Sequence, residues 1–255
     1  MTAPHHAFVR AAYDPRASAY VASAVHANGP DLDLIEDRVR GHPNARAIDL
    51  GCGGGHVCYR VAPHVAEVVA MDLAPQMLDR VLQTASQRGL RNIRTQEGAA
   101  ESIPFPDGHF DFVLSRFSAH HWRDFEPGLR EARRVLAETG RAIFVDSTAP
   151  QAPLLDTHLQ TLELLRDPSH VRNYTPHEWI AALSRAGFEV TSIQRRDVRI
   201  EFTSWIARTR TPTVLVEAIR FLQQNAPQDA RNGLGIEPDG SFRLEAVLFE
   251  ASPGH

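Results

Sequence analysis

Two hydrophobic periods alternate along this chain. Ala45–Leu50, Val65–Met71, Asn92–Gln96, Phe110–Leu114 and Arg141–Asp146 are short runs bounded by Gly, Pro, Asn or Asp, the pattern of buried strands. Between them apolar residues recur at helical spacing. They predict helices from Gly54 to about Pro63, over Pro75–Arg88 and over Asp124–Leu136. In the second of these Met77, Leu78, Val81 and Leu82 form the buried side, and Pro75 suits the first turn. Upstream, Ala17–Asn28 reads as a helix broken by Gly29-Pro30, and Asp31 caps another carrying Leu32, Leu34, Ile35 and Val39. Strands separated by helices of this length predict βαβ units, a parallel sheet and helices on both of its faces.

Beyond Asp146 the pattern changes. Gln151–Leu165 reads as a helix and Asp167–Asn173 as a polar loop. Thr175-Pro176-His177-Glu178 is a capping box opening a helix to Ala186, which Gly187 ends. Glu189–Phe202 is strand-like, Thr213–Gln224 helical, and Phe242–Glu250 alternates again. The two late strands, one of them antiparallel, complete an α/β, Rossmann-like sheet of seven mostly parallel strands. Thr203–Asp239 lies between them as a helical insertion suited to a lid. No repeats or linkers interrupt the chain.

With 255 residues, 43% of them hydrophobic, the chain can build one large core. A formal net charge of −4 disfavours a general nucleic-acid binder. The two cysteines, Cys52 and Cys58, are spaced for neither a disulfide framework nor a zinc site. Met1–Val9 lacks a signal-peptide run and no stretch approaches a membrane span, so a soluble cytoplasmic protein is expected, as monomer or homodimer.

The chemistry concentrates at Ala47–Val57, a strand, a glycine-rich turn and a helix start. Such a turn brings bare backbone close to a ligand, and the helix start offers free N–H groups. Gly51 and Gly53 fit the first two positions of the dinucleotide pattern G-x-G-x-x-G, but His56 occupies the third, which argues against an NAD-dependent oxidoreductase. Ligands of such sheets sit beyond the carboxyl ends of the strands. Asp49 ends the first strand and Asp72 the second, 23 residues on, where a carboxylate can accept both hydroxyls of a nucleoside ribose. Tyr13, Arg16 and Tyr20 precede the sheet and are candidates to face the same ligand. After the fourth strand come His120 and His121, whose ordinary pKa suits proton transfer. Trp205, Arg208 and Arg210 form a further cluster, suited to stacking on a flat ring and to holding a carboxylate or phenolate.

Asp49, Gly51, Gly53 and Gly55 spell D-x-G-x-G-x-G, which resembles the first motif of class I S-adenosylmethionine (SAM) dependent methyltransferases. Met71-Asp72-Leu73-Ala74-Pro75-Gln76-Met77-Leu78 resembles the second-strand motif of the ubiquinone/menaquinone-type members, the methyltransferase type 11 family. Glu97–Asp107, Phe110-Asp111-Phe112-Val113 and the Arg134-Val135-Leu136 turn before Gly140-Arg141 are similar to that family's later motifs, so the likeness covers roughly Ala45–Asp146. It implies SAM as cofactor, with S-adenosylhomocysteine as product, and a small-molecule acceptor that is aromatic or quinone-like. It further implies cofactor contacts from Asp49, Gly51, Cys52, Gly53, Gly55, Asp72, Leu73, Met77, Ala99, Ala100, Glu101 and Ser115, and a place beside the methyl group for His120 and His121. Relatives often carry an adenine-binding Asp where Ala99 stands, so the backbone of Ala99 and Ala100, or Glu101, must substitute. The expected layout is one methyltransferase domain over residues 1–255. Residues 1–44 are N-terminal helices, 45–150 the SAM-binding core, and 151–255 the remaining sheet and acceptor-side lid. A SAM-binding sensor or partner subunit without catalysis fits the same motifs.

Overall fold

The computed structural model describes residues 4–14 and 29–254. The helix expected over Ala17–Asn28, with Arg16 and Tyr20, lies outside the described residues. Seven strands form one sheet: β1 (Arg46–Leu50), β2 (Glu67–Asp72), β3 (Ile93–Glu97), β4 (Phe110–Arg116), β5 (Leu136–Thr148), β6 (Phe188–Ile200) and β7 (Phe242–Pro253). Their spatial order is β3-β2-β1-β4-β5-β7-β6. β7 alone runs antiparallel to its neighbours β5 and β6. β1 is flanked on one side by β2 and on the other by β4, so the chain reverses its winding there and leaves a crevice at the strand ends.

Described helices cover both faces. α1 (Pro4–Tyr13) precedes α2 (Pro30–Val39), α3 (His56–Val61) and α4 (Pro75–Gln87); α5 (Phe125–Val135), α6 (Pro153–Arg166) and α7 (Pro176–Arg185) follow. α8 (Phe202–Thr209), α9 (Thr213–Asn225) and α10 (Gln228–Gly233) occupy the stretch between β6 and β7. Period-two alternation splits the central strands between two cores. Ile48 and Leu50 face α5 and α7, whereas Ala47 faces α2, α3 and α4. A third cluster, with Trp205, Phe242, Leu244 and Ile219, ties the inserted helices to the far ends of β6 and β7.

The strand limits differ from expectation in an informative way. β5, β6 and β7 are 13, 13 and 12 residues long, against 5 for β1. They pair far beyond the shorter strands, through Ser147↔Ala246↔Arg196 and Leu244↔Val198. Phe202, expected to close a strand, instead begins α8, because Glu201 accepts from the amides of Thr203 and Ser204 and caps a helix there. α1 has no counterpart among the helices expected from the apolar spacing.

Trp179 holds the first core together. Its ring stacks on Phe249 at 5.1 Å and meets Phe125 edge-on at 4.6 Å, with 1% exposure. Trp179→Ala should lower unfolding stability by about 3–5 kcal/mol, read as a fall in the urea midpoint with unchanged slope.

Candidate active site

The turn after β1 is pinned by the Gly51 and Cys52 amides, which donate to the Met71 carbonyl at 2.8 and 2.9 Å. Its three glycines serve different needs. All have positive φ, of +67°, +49° and +78° at Gly51, Gly53 and Gly55. A Cβ on Gly51 would collide with the Ser118 side chain, and one on Gly55 with the Tyr59 ring. A Cβ on Gly53 would meet nothing within 4 Å and would occupy the open cavity instead. Gly53 is therefore the position that leaves ligand space; the other two allow the protein to pack.

Asp72 completes this corner. Its carboxylate accepts from the Gly53 amide at 2.9 Å and from the Ala74 amide at 3.0 Å. Each oxygen thus keeps acceptor capacity toward the cavity. Burial pushes the Asp72 carboxyl above its ordinary pKa, opposed by these amide donors. Asp49 lies behind, 1% exposed, with the Cys58 thiol donating to it at 3.3 Å. Burial pushes its carboxyl up to about 7; the Cys58 bond and the charge of Arg116 pull the other way.

From here one continuous cavity runs along the strand ends. Leu73, Met77, Gly98, Ala100 and Glu101 line the β2–β3 end, with Cys52 and His56 from the turn. Glu101 accepts from the Asp124 amide at 3.1 Å and pairs with His6 of α1 at 3.3 Å.

The segment after β4 turns sharply at Phe117, whose φ is +52°, and brings two histidines to the cavity wall. Asp146, near the end of β5, grips the first. Its carboxylate lies 2.6 Å from His120 Nδ1 and accepts the His120 amide at 3.1 Å. This leaves His120 Nε2 as the nitrogen available to the cavity. Burial alone would depress the His120 pKa, but the charge and hydrogen bond of Asp146 outweigh it and raise the imidazole above 6.5. His121 behaves oppositely: burial and the neighbouring His120 charge push it down to about 3. Its Nε2 lies 2.9 Å from the Tyr13 hydroxyl, which donates to Asp167 at 2.9 Å. His121 is thus a neutral, anchored ring and His120 the titratable one.

The loop Asp167–Asn173, expected to be polar and solvated, is largely buried: Asp167, Ser169, His170 and Asn173 are each no more than 6% exposed. Most of its polar groups find partners within the loop or on neighbouring elements. Asp167 accepts from the Ser169 hydroxyl at 2.7 Å, the Gln160 side chain bonds His170 and Asn173, and the Val171 amide donates to the His120 carbonyl. Residue patterns did not single out Asp146, which meets His120, or Asp167, which meets Tyr13; an isolated acid gives no hint of the partner that folding brings to it.

Beyond His120 the cavity floor is the extended face of β5, β7 and β6, with Ser147, Ala246, Leu244, Arg196, Val198 and Ile200. Arg116, at the end of β4, and Arg196 both pair with buried Asp31, Arg196 at 2.7 Å. Trp205, Arg208, Arg166 and Glu163 close the far end. Trp205 is 1% exposed and packs edge-on against Phe242 at 5.0 Å, so it is first a core residue, with its rim at the cavity.

Four candidates do not reach the cavity. The Ser115 hydroxyl donates to the Leu50 carbonyl at 3.0 Å, on the wrong side of β4. Gly55 is the N-cap of α3 and faces Tyr59. Ala99 is not part of the cavity lining, although its neighbours Gly98 and Ala100 are. Arg210 is exposed, at the left-handed C-cap of α8. Asp49, Gly51, Cys52, Gly53, Asp72, Leu73, Met77, Ala100, Glu101, His120, His121, Trp205 and Arg208 all line it.

Residues 48–144 match the family model described as a methyltransferase domain. The uncharacterized methyltransferase YcgJ of Bacillus subtilis (strain 168) is 35% identical over 243 residues, 93% of this chain and 96% of that one. The YcgJ crystal structure superposes with a TM-score of 0.84, covering 89% of this chain and 99% of that one at 34% identity. The chain belongs to the class I SAM-dependent methyltransferases. The uncharacterized protein YafE of Escherichia coli (strain K12) is 44% identical over 201 residues, 79% of this methyltransferase and 97% of YafE. A demethylmenaquinone methyltransferase of Deinococcus radiodurans is 36% identical over 116 residues, only 44% of this chain and 47% of its own. Among the described residues no helix is long and apolar enough to cross a membrane.

Proposed function

We propose that the Asp49–Asp72 end of the cavity holds SAM and that the end walled by Trp205 and the arginines holds a small-molecule acceptor with an aromatic or quinone-like body. The observation that carries this is the Gly53–Asp72 corner. One open, Cβ-free backbone position and one carboxylate with spare acceptor capacity face the same space, at the switch point of the sheet. The donor set suits this cofactor. A cationic group beside Asp49 would draw its carboxyl back from about 7 toward the ordinary range. Asp72 supplies a two-point acceptor for ribose hydroxyls, and Leu73, Met77 and Ala100 supply apolar surface for a base. With Ala99 outside the cavity lining, the backbone at Gly98 and Ala100 and the Glu101 carboxylate are the polar groups left to meet the adenine edge.

Bound SAM supplies a methyl group on a sulfonium, already activated for in-line displacement. The chain's remaining tasks are to align the acceptor, exclude water and move a proton. Phe117, Trp122 and Trp205 wall off solvent. His120 accepts the acceptor's proton at Nε2, while Asp146 holds the opposite nitrogen and stabilises the imidazolium that forms. The aromatic or quinone-like body draws support from the apolar face of Val198, Ile200 and Leu244, and from the demethylmenaquinone methyltransferase likeness.

Calorimetry with SAM, S-adenosylhomocysteine and NAD, followed by methyl transfer from labelled SAM to a panel of phenols and quinols with RNA as control, tests the reading. SAM and its product should bind, NAD should not, and label should reach a small molecule. Label on RNA, or NAD binding in place of SAM, would overturn it.

A further inference from the structure

Three polar residues follow one another along the side of α6 that meets the buried Asp167–Asn173 loop. Gln160, Glu163 and Asp167 are spaced three and four apart, so they share a face of the helix and its C-cap. Two of them are engaged by the protein itself. Gln160 bonds His170 at 2.9 Å and the Asn173 amide and carbonyl at 3.0 and 2.7 Å. Asp167 accepts from the Ser169 hydroxyl at 2.7 Å and the Tyr13 hydroxyl at 2.9 Å. Glu163 differs. It is 6% exposed, yet it lines the cavity, and its carboxylate meets Arg166 Nη1 at 3.5 Å, the long limit of hydrogen bonding. Withdrawing a carboxylate from water is costly unless hydrogen bonds replace the lost hydration. A carboxylate has about four lone-pair positions, so one long ion contact leaves capacity for a donor arriving from the cavity.

We propose that Glu163 orients the methyl acceptor, its carboxylate accepting a hydrogen bond from a hydroxyl that the acceptor carries in addition to the group it presents to His120. This rests on the methyltransferase reading of the same site. The surroundings select the donor. Arg166 and Arg208 line the same end, and arginine stays charged, so an ammonium would be set against both, whereas a neutral hydroxyl would not. Arg166 is itself held in place, its Nε donating to the Trp205 carbonyl at 3.1 Å and its guanidinium lying 5.2 Å from the Trp205 ring. The apolar face of Val198, Ile200 and Leu244 takes the body of the same molecule. The charge of Glu163 reaches His120, so both groups look onto one stretch of the cavity. An acceptor held at both points cannot turn about its reacting atom, which is what alignment for methyl transfer requires.

The test titrates 2-naphthol and two of its diols, 2,6- and 2,7-dihydroxynaphthalene, calorimetrically into the full chain saturated with S-adenosylhomocysteine. At least one diol should bind about tenfold or more tighter than 2-naphthol, the gain expected from one hydrogen bond to a charged group. Glu163→Leu should abolish that preference and Glu163→Gln keep part of it, with the affinities for 2-naphthol and S-adenosylhomocysteine unchanged. Diols that bind no tighter than 2-naphthol, or a preference that survives Glu163→Leu, would overturn the inference. So would an equal loss of 2-naphthol and diol binding in Glu163→Leu, the result expected of a residue that only shapes the wall. Failure of all three probes to bind would overturn it too, while leaving the cofactor assignment standing. Absence of S-adenosylhomocysteine binding in the unaltered chain would instead remove the methyltransferase reading, and this inference with it.

Discussion

Asp72→Ala should weaken S-adenosylhomocysteine binding by about a hundredfold or more. A hydrogen bond to a charged group contributes about 1.5–3 kcal/mol, and the proposed ribose contact uses two, while each 1.4 kcal/mol is about tenfold in affinity. The substitution also removes the acceptor for the Gly53 and Ala74 amides, so the turn itself loosens. Asp72→Asn separates the two effects. It keeps one oxygen to hold a backbone amide but turns the other position into a donor, and its loss should approach that of alanine if ribose recognition dominates. Calorimetry reads both values, and thermal melts confirm that the variants fold. An Asp72→Ala protein that binds the product as tightly as the parent would remove Asp72 from the cofactor site.

Loss of His120 falls on the chemical step instead. His120→Ala should lower kcat by about 10²–10⁴-fold, the usual contribution of a positioned acid or base, with product affinity unchanged. The pH dependence carries a definite sign. A base must be neutral to act, and the folded pKa of His120 is raised above 6.5, so kcat should fall as pH drops through that raised value. Asp146→Asn removes the charge that raises it and leaves burial, which lowers it, so the acidic limb moves to lower pH. The plateau drops at the same time, because the imidazolium formed during turnover loses its counter-charge. NMR titration of the His120 ring between about pH 5 and 8 reads the shift without any acceptor. An unmoved titration in Asp146→Asn would mean that the carboxylate does not govern this imidazole. His121, pushed down to about 3, should not titrate in this window.

The end of the cavity proposed to hold the cofactor was legible in the residues because its geometry is local. A strand-end acid, alternating glycines and a second strand-end acid are set by short-range rules, and β1, β2 and β4 were visible from their apolar runs. The His120–Asp146 pair was not. Asp146 looked like an ordinary strand end, and only the pairing of β4 with β5 brings it to His120. The buried loop Asp167–Asn173 was illegible for a related reason: a polar stretch enters a core only when its groups satisfy each other, and that depends on Gln160 and Tyr13 elsewhere in the chain. β5 was read short because Glu138-Thr139-Gly140 resembles a turn; the strand begins at Leu136 nonetheless, with an irregularity in its pairing to β4 over this stretch. Ser115 and Arg210 show the converse limit, since adjacency to the right residues along the chain put them on the wrong side of a strand and at an exposed helix end.

The extension of β5, β6 and β7 past the shorter strands divides the molecule's inheritance in two. The acids and glycines of the cofactor end lie within residues 49–101, inside the segment shared with the wider family. The β5–β7–β6 face proposed to hold the acceptor, from Ser147 to Ala246, lies outside it. Substitutions along that wall can therefore change what is methylated without disturbing how the methyl donor is held. Kinship measured over the first half alone reports the donor, and a shared acceptor is to be sought among proteins alike over the second half as well, as YcgJ is.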